Sequence, residues 1–270
     1  MLRRVVRLYS SELSKVLRMR LPYLGVVCNA LMALIAKQSV ESFSQPGELT
    51  FSGYFSASLN LTSTLTTPLF ATIFAAMLVA GETSRGTLRT VLVRPLSRWD
   101  FLVAKFLVAV TYLIVLVAAN VLPALLVGKN YPLQSAFDRN IEIPPASEQA
   151  VIYLTAIGLA LIPQIAALAF GFVISVIAKN AGTAVGMAVG LLLSVQAAKE
   201  FVQIGEVEVR RYVFSSYFDE PFRIASTKIS GVYEVWSQER IYLLLATSLA
   251  TIVICLVISF WTFLRRDLNG

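Results

Sequence analysis

Long apolar runs without charge constrain the fold of this chain more than any other feature. Residues 57–80 and 106–127 contain no Asp, Glu, Lys or Arg, and each run can cross a bilayer as a helix. Hydrophobic residues make up 57% of the 270 residues and charged residues only 14%, against about 25% in soluble domains. We therefore predict an all-α, polytopic membrane protein, with residues 1–270 in a single transmembrane domain.

Six apolar segments are predicted to span the membrane. They are residues 21–36, 55–80, 101–128, 149–178, 181–198 and 241–264. With the N-terminus inside, the inner segments hold 14 of the 23 Lys and Arg residues and the outer segments nine, six of them in or beside the long loop 199–239. Because Lys and Arg accumulate on the cytoplasmic side, both chain ends are predicted to be cytoplasmic (N-in/C-in).

Residues 1–20 predict a basic amphipathic helix that lies in the membrane interface. Its apolar stripe consists of Val5, Val6, Tyr9, Leu13, Val16 and Leu17. The alternative is a signal peptide whose apolar region is 21–36. The basic region is too long for that, and no clear A-x-A cleavage site follows, so the sequence favours an uncleaved first span.

A short basic segment, residues 81–100, joins the second and third predicted spans. Together with Lys105 it contains five Lys/Arg residues and two acids. Its predicted small helix ends before Pro95, because a proline disfavours the α conformation in the residue before it. Ser97, with Asp100 three residues later, has the spacing of a capping box at the start of the next span. We expect a rigid cationic tip on a membrane hairpin, suited to docking on a partner.

The second predicted span is rich in side chains that form hydrogen bonds. These are Ser56, Ser58, Asn60, Thr62, Ser63, Thr64, Thr66 and Thr67. Pro68 additionally frees a backbone carbonyl. Such groups either pair between helices or face a wet cavity, and the sequence leaves both interpretations open. If the second holds, Asn60, Ser63, Thr64 and Thr67 are candidates for a translocation path.

Small residues recur every four positions at the fifth predicted span. They are Ala178, Gly182, Gly186, Gly190 and Ser194. A smooth ridge of this kind lets a second helix approach closely. That helix could belong to the same bundle or to a second copy of the chain.

Several chemistries are missing from the sequence. The chain has no histidine, its two cysteines lie inside apolar runs, and no span has an ionisable residue in its middle. These features argue against a catalytic residue, a metal site and ion-coupled transport. No phosphate-binding loop occurs either. The net charge of +7 is explained by membrane topology, so we expect no nucleic-acid partner, and energy for transport would have to come from another subunit.

The basic segment resembles the signature of type-2 ATP-binding-cassette (ABC) permeases. The matching residues are Glu82, Gly86-Thr87-Leu88-Arg89-Thr90, Arg94-Pro95, Ser97-Arg98 and Lys105. In shape the chain is similar to short six-span members such as the permease of the nitrous-oxide-reductase maturation system. This resemblance implies a non-catalytic membrane subunit of an exporter in the bacterial cytoplasmic membrane. It also implies a second permease copy (a homodimer) and two separate ATPase subunits, which bind ATP and magnesium.

The resemblance also implies roles for individual residues. The coupling helix, seated in a groove of the ATPase, would include Gly81, Glu82, Arg85, Gly86, Thr87, Leu88, Arg89, Arg94 and Arg98. Spans two and five would line the path, which adds Gly186 and Gly190 to the candidates above. The aromatic-rich loop 199–239 is expected to reach the outer leaflet and to contain short re-entrant helices. The alternative function is a passive channel or a membrane anchor for a cytoplasmic partner.

Overall fold

A computed structural model of the chain describes residues 2–44, 49–86, 97–133, 143–201, 203–204, 207–230 and 238–265. The long elements are helices: α1 (Leu2–Val16), α2 (Arg20–Phe43), α3 (Phe51–Leu61), α4 (Thr67–Ser84), α5 (Arg98–Gly128), α6 (Ala146–Ile177), α7 (Ala181–Phe201), α8 (Glu220–Ile229) and α9 (Gln238–Arg265). In the described ranges, the strands are two-residue segments, Gln203–Ile204 and Val207–Glu208, which pair antiparallel.

Six helical segments are long and apolar enough to cross a membrane: α2, the continuous helix made of α3 and α4, α5, α6, α7 and α9. The prediction of a six-span helical protein is confirmed at this level. The helices extend beyond the predicted spans; α2, for example, continues past Ala36 to Phe43. The apolar run marks only the part suited to hydrocarbon, whereas backbone hydrogen bonding continues into the polar flanks.

A π-helical turn, Thr62–Thr66, joins α3 to α4 in the middle of the second span. The amide of Thr67 donates to the carbonyl of Thr62, five residues earlier. Pro68 explains this turn, because it has no amide hydrogen and its ring collides with the carbonyl four residues before it. Wider turns of this kind are frequent at functional sites.

Helix α6 is central in the bundle, where it packs on α4, α7, α8 and α9. It meets α4 at very short range. A Cβ atom added to Gly171 would lie 2.5 Å from the carbonyl oxygen of Thr72. The hydroxyl of Thr72 donates to the carbonyl of Ala167 at 3.2 Å, and the hydroxyl of Ser175 accepts from the amide of Val79 at 2.9 Å. A small residue and hydroxyl pairs therefore fix this contact, as is usual between membrane helices.

The chain between α7 and α9 folds back into the bundle. It forms the 3-10 helices Val209–Tyr212 and Phe214–Tyr217 and then α8. Phe218 is buried against Ala166 and Ala167 of α6, and Phe222 is buried against α3 and α6 residues. Tyr212 stays exposed. Most of the described aromatic residues here therefore pack on protein. Contact of part of this loop with the outer leaflet stays a prediction.

We expect Gly171→Leu to lower the melting temperature, because the added side chain has no room beside Thr72 and overpacking costs about 1–3 kcal/mol. Differential scanning fluorimetry of the purified protein measures the shift. Gly158→Leu on the same helix is the matched control, since no atom lies within 4 Å of a Cβ placed there. Equal melting temperatures for both variants would contradict the close α4–α6 contact.

Candidate functional site

A cluster of four charged side chains lies where the basic segment begins and ends. Lys105 of α5 is only 1% exposed. Its Nζ donates to Glu12 Oε2 of α1 at 2.7 Å and to Glu82 Oε1 of α4 at 3.0 Å. A buried ammonium group is costly unless it is paired and hydrogen bonded. The pairing therefore joins three helices at one point.

Lys15 completes this charge cluster. Its Nζ donates to Glu82 Oε1 at 3.1 Å and also contacts Glu12 Oε1. Its side chain is half exposed, unlike that of Lys105. Two lysines and two glutamates give a neutral set in which each cation contacts both anions. The cluster links α1 to the two helices that flank residues 85–97.

The electrostatics of α1 follow from this arrangement. Burial raises the pKa of the Glu12 carboxyl, but the charge and hydrogen bond of Lys105, with those of Lys15, lower it below its ordinary value of 4.5. Burial lowers the pKa of Lys15, but its hydrogen bond to Glu12 and the charge of Glu82 raise it above 10.5. Both groups are therefore held in their charged forms near neutral pH.

The amphipathic pattern of α1 explains why Glu12 reaches Lys105. Val16 belongs to the main core, with Tyr9 packed against it, and the hydroxyl of Tyr9 lies 2.9 Å from that of Thr111 on α5. Glu12 is between these two positions, so the same face carries it inward. Val6 and Leu17 remain exposed. Part of the apolar stripe is thus covered by protein, and part is free.

The predicted coupling residues divide into four groups. Gly81, Glu82 and Arg85 line a cavity of about 190 Å³ together with the charge cluster. Gly86 follows α4 with a φ of +67°, the left-handed conformation that favours glycine after a helix end. Arg98 instead donates to the carbonyl of Leu264 at 2.9 Å, at the end of α9. Four further residues, Thr87, Leu88, Arg89 and Arg94, lie outside the described residues.

A second polar cluster lies in the middle of the bundle, around Asn29 of α2. The hydroxyls of Thr66 and Thr67 donate to its Oδ1 at 3.1 and 2.8 Å. Asn120 of α5 donates to the carbonyl of Asn29 at 3.3 Å and to Ser58 Oγ at 3.1 Å. Several hydroxyls of the second span therefore pair between helices.

Next to this cluster is a small cavity of about 10 Å³, enough for roughly one water molecule. Ser63, Thr67, Gln164 and Phe222 are among its lining residues. Gln164 Nε2 donates to the carbonyl of Ser63 at 2.8 Å, whereas its buried Oε1 has no hydrogen-bond partner among the described residues. A water molecule in this cavity is a natural partner for that oxygen.

The structure does not bring the six predicted path residues together. Ser63 and Thr67 are buried beside the small cavity. Thr64 donates to the carbonyl of Asn60 in its own helix at 2.8 Å. Gly186 and Gly190 lie on the exposed side of α7, with open space where a Cβ would stand. The buried side of α7 is formed by residues such as Ala184 and Ala188.

Sequence reasoning did not predict the charge cluster as a site. It placed Glu82 in the coupling set, but it gave Glu12, Lys15 and Lys105 no role together. A signal was present, since Glu12 is the only acid among the first 20 residues and Lys105 is the only Asp, Glu, Lys or Arg among residues 101–128. The two contacts that tie α1 to α4 and α5, Lys15–Glu82 and Lys105–Glu12, join residues 67 and 93 positions apart, so the sequence could not pair them.

The helices and the buried polar groups define a multi-pass α-helical membrane protein. Its family is that described as "Protein of unknown function (DUF2705)", to which the chain belongs through residues 25–269. It is also similar to YhcI of Bacillus subtilis (strain 168), described as an uncharacterized protein. The two are 26% identical over 217 residues, which cover 76% of this chain and 66% of YhcI.

We expect Lys105→Met to destabilise the protein strongly, because it leaves two buried carboxylates without their main cation. Loss of one partner of a buried ion pair costs about 3–5 kcal/mol. Lys37→Met is the control, since Lys37 forms an exposed pair with Glu41 at 3.9 Å and exposed pairs contribute about 0–1 kcal/mol. Fluorescence-detected size exclusion after heating compares the two. Similar losses of folded protein would show that the cluster stabilises the protein no more than an exposed ion pair does.

Acidification is expected to weaken the attachment of α1. The folded-state pKa of Glu12 is lowered, so its contribution to stability is complete above the ordinary value of 4.5 and is lost as pH falls through the lower folded value. Melting temperatures measured from about pH 6 to about pH 3 should fall. This fall should be shallower in the Glu12→Gln variant. The control Glu148→Gln, at an exposed position, should follow the wild type. An unchanged slope in Glu12→Gln would contradict the assignment.

Proposed function

We propose that the chain is the membrane permease subunit of an ABC exporter, driven by a separate cytoplasmic ATPase. The charge cluster of Glu12, Lys15, Glu82 and Lys105 carries this proposal. It fixes the start and the end of the basic segment 81–100 to the same point of the bundle. A force applied to that segment by a partner would therefore act on α1, α4 and α5 together.

Two further hydrogen-bonded contacts at the ends of α4 and α5 support this role. The hydroxyl of Ser84 accepts from the amide of Ala181 at 2.8 Å, which links the end of α4 to the start of α7. Arg98 is bonded to the end of α9. Movement of the basic segment would thus be transmitted to four spans, α4, α5, α7 and α9, through direct hydrogen bonds or ion pairs. This is the mechanical requirement of alternating access powered from outside the permease.

A homodimer is part of the proposal. The glycine ridge of α7 faces away from its own bundle, and only a small share of this helix is buried within the chain. A smooth exposed face of this kind accepts a second membrane helix closely. In the assembled permease, the path for the substrate would run between two copies, beside α7 and the hydroxyl-rich second span.

The proposed orientation places both chain ends and the basic segment in the cytoplasm. Helix α1 would then lie at the inner membrane surface, with the exposed Val6 and Leu17 in the lipid interface. The short helices between α7 and α9 would close the outer half of the bundle. The similarity to a Bacillus subtilis protein supports a bacterial cytoplasmic membrane.

The test is co-purification with an ATPase and its loss on charge reversal. The variant Arg85→Glu/Arg89→Glu should reduce the recovered ATPase about tenfold or more, because it reverses two charges on the proposed docking segment. Lys228→Glu is the matched control, an exposed lysine of α8 at the other end of the bundle. Quantitative mass spectrometry of the purified complexes measures the ratio of ATPase to permease.

Three outcomes would contradict the proposal. The ATPase could be absent from the wild-type complex, which would favour a passive channel or an anchor for another cytoplasmic partner. Its recovery could be unchanged in the double variant. Alternatively, both variants could reduce it equally, which would indicate a general loss of folding.

A further inference from the structure

A groove lies at the end of the bundle opposite the basic segment. It has a volume of about 500 Å³ and lies between α3, α5 and α6. Its walls include Phe55, Leu125, Tyr153 and Leu154, and the two leucines are well exposed. The rings of Phe55 and Tyr153 meet edge to face with centroids 4.8 Å apart. The groove is therefore a preformed apolar channel of the size of a small-molecule site.

Two polar side chains distinguish this groove from an ordinary lipid-facing surface. Gln149 lines it and is only 2% exposed. Its Nε2 donates to the carbonyl of Pro144 at 2.9 Å, but its buried Oε1 has no hydrogen-bond partner among the described residues. A buried acceptor without a partner is uncommon in native proteins, and a water molecule, an ion or a ligand is one explanation for it. The site therefore calls for a hydrogen-bond donor.

The second polar group is a cation. Lys129 lines the groove at the end of α5 and is exposed. Within the described ranges, no carboxylate forms an ion pair with it. The nearby Tyr131 also lines the groove, and its hydroxyl donates to Glu41 at 2.8 Å, so this tyrosine does not supply the donor that Gln149 lacks. The groove thus combines an apolar channel and one ammonium group with Gln149, whose buried Oε1 has no partner in the described ranges.

We infer that the groove binds the anionic phospholipid phosphatidylglycerol. An acyl chain would occupy the aromatic channel, the phosphate would face Lys129, and a glycerol hydroxyl would donate to Gln149. Any lipid tail can fill the apolar part, but the charge and the free acceptor select among head groups. A zwitterionic phosphatidylcholine carries no net charge and no hydroxyl or N–H donor in its head group. Phosphatidylcholine therefore interacts less favourably with Lys129 and offers no hydrogen-bond donor to Gln149.

The test uses the full chain in nanodiscs that contain equal amounts of phosphatidylglycerol and phosphatidylcholine. After mild detergent extraction, native mass spectrometry counts the lipids that remain bound. We expect phosphatidylglycerol to be retained about five-fold over phosphatidylcholine, the preference that one lysine near an anionic head group provides. Lys129→Gln should remove most of this preference, whereas the control Lys228→Gln, at an exposed position of α8 that does not line the groove, should keep it.

A second pair of variants tests the apolar channel. Ala150→Trp places a large ring in the groove, since Ala150 is an exposed lining residue. It should abolish retention of the bound lipid. Thr155→Trp adds the same ring to an exposed position of α6 that does not line the groove, and it should leave retention unchanged.

The inference is overturned by equal retention of the two lipids in the wild-type protein, which would indicate annular lipid only. It is equally overturned if Lys129→Gln keeps the preference, or if both tryptophan variants behave alike. A change of oligomeric state in Ala150→Trp alone would show that a second copy of the chain occupies the groove. If Ala150→Trp does not fold, the lysine variants decide the question.

Discussion

The contact of Lys105 with Glu12 and Glu82 is the constraint on which the rest of this structure depends. A cation that is 1% exposed cannot lose its partners without a large cost. Because the partners come from α1 and α4, three helices are held in one arrangement at the basic end of the bundle. Any partner that moves the segment between α4 and α5 must move these helices as a unit or break the cluster.

Elsewhere the bundle relies on uncharged contacts, since lipid tails provide little hydrophobic force between helices. Asn29 Oδ1 accepts hydrogen bonds from the hydroxyls of Thr66 and Thr67 at the π-helical turn. Gly171 allows α6 to approach Thr72 of α4. These few contacts specify which helices are neighbours. The irregular turn and the oxygen of Gln164 that has no hydrogen-bond partner in the described part of the chain lie together in the middle of the bundle.

Two of the exposed surfaces in the described ranges differ in their chemistry. The exposed side of α7 is smooth and lacks charge, as its glycines allow a close helix contact. The groove at the other end has aromatic walls with Lys129 and Gln149. A helix from a second copy suits the first surface, and an anionic amphiphile suits the second. In the proposed transporter, one surface would thus bind the second copy and the other would bind lipid.

The sequence by itself determined the number of spans, because a bilayer demands about 20 apolar residues for each helix. It also indicated the altered backbone hydrogen bonding near Pro68 and the start of α5 at Ser97, whose hydroxyl accepts from the amide of Trp99. These features depend on neighbours along the chain. Only the tertiary structure decided that Glu12 pairs with Lys105, that the hydroxyls of the second span mostly face other helices, and that the glycine ridge faces outward. Each of these depends on which helices lie side by side, and hydrophobic periodicity carries no information about that choice.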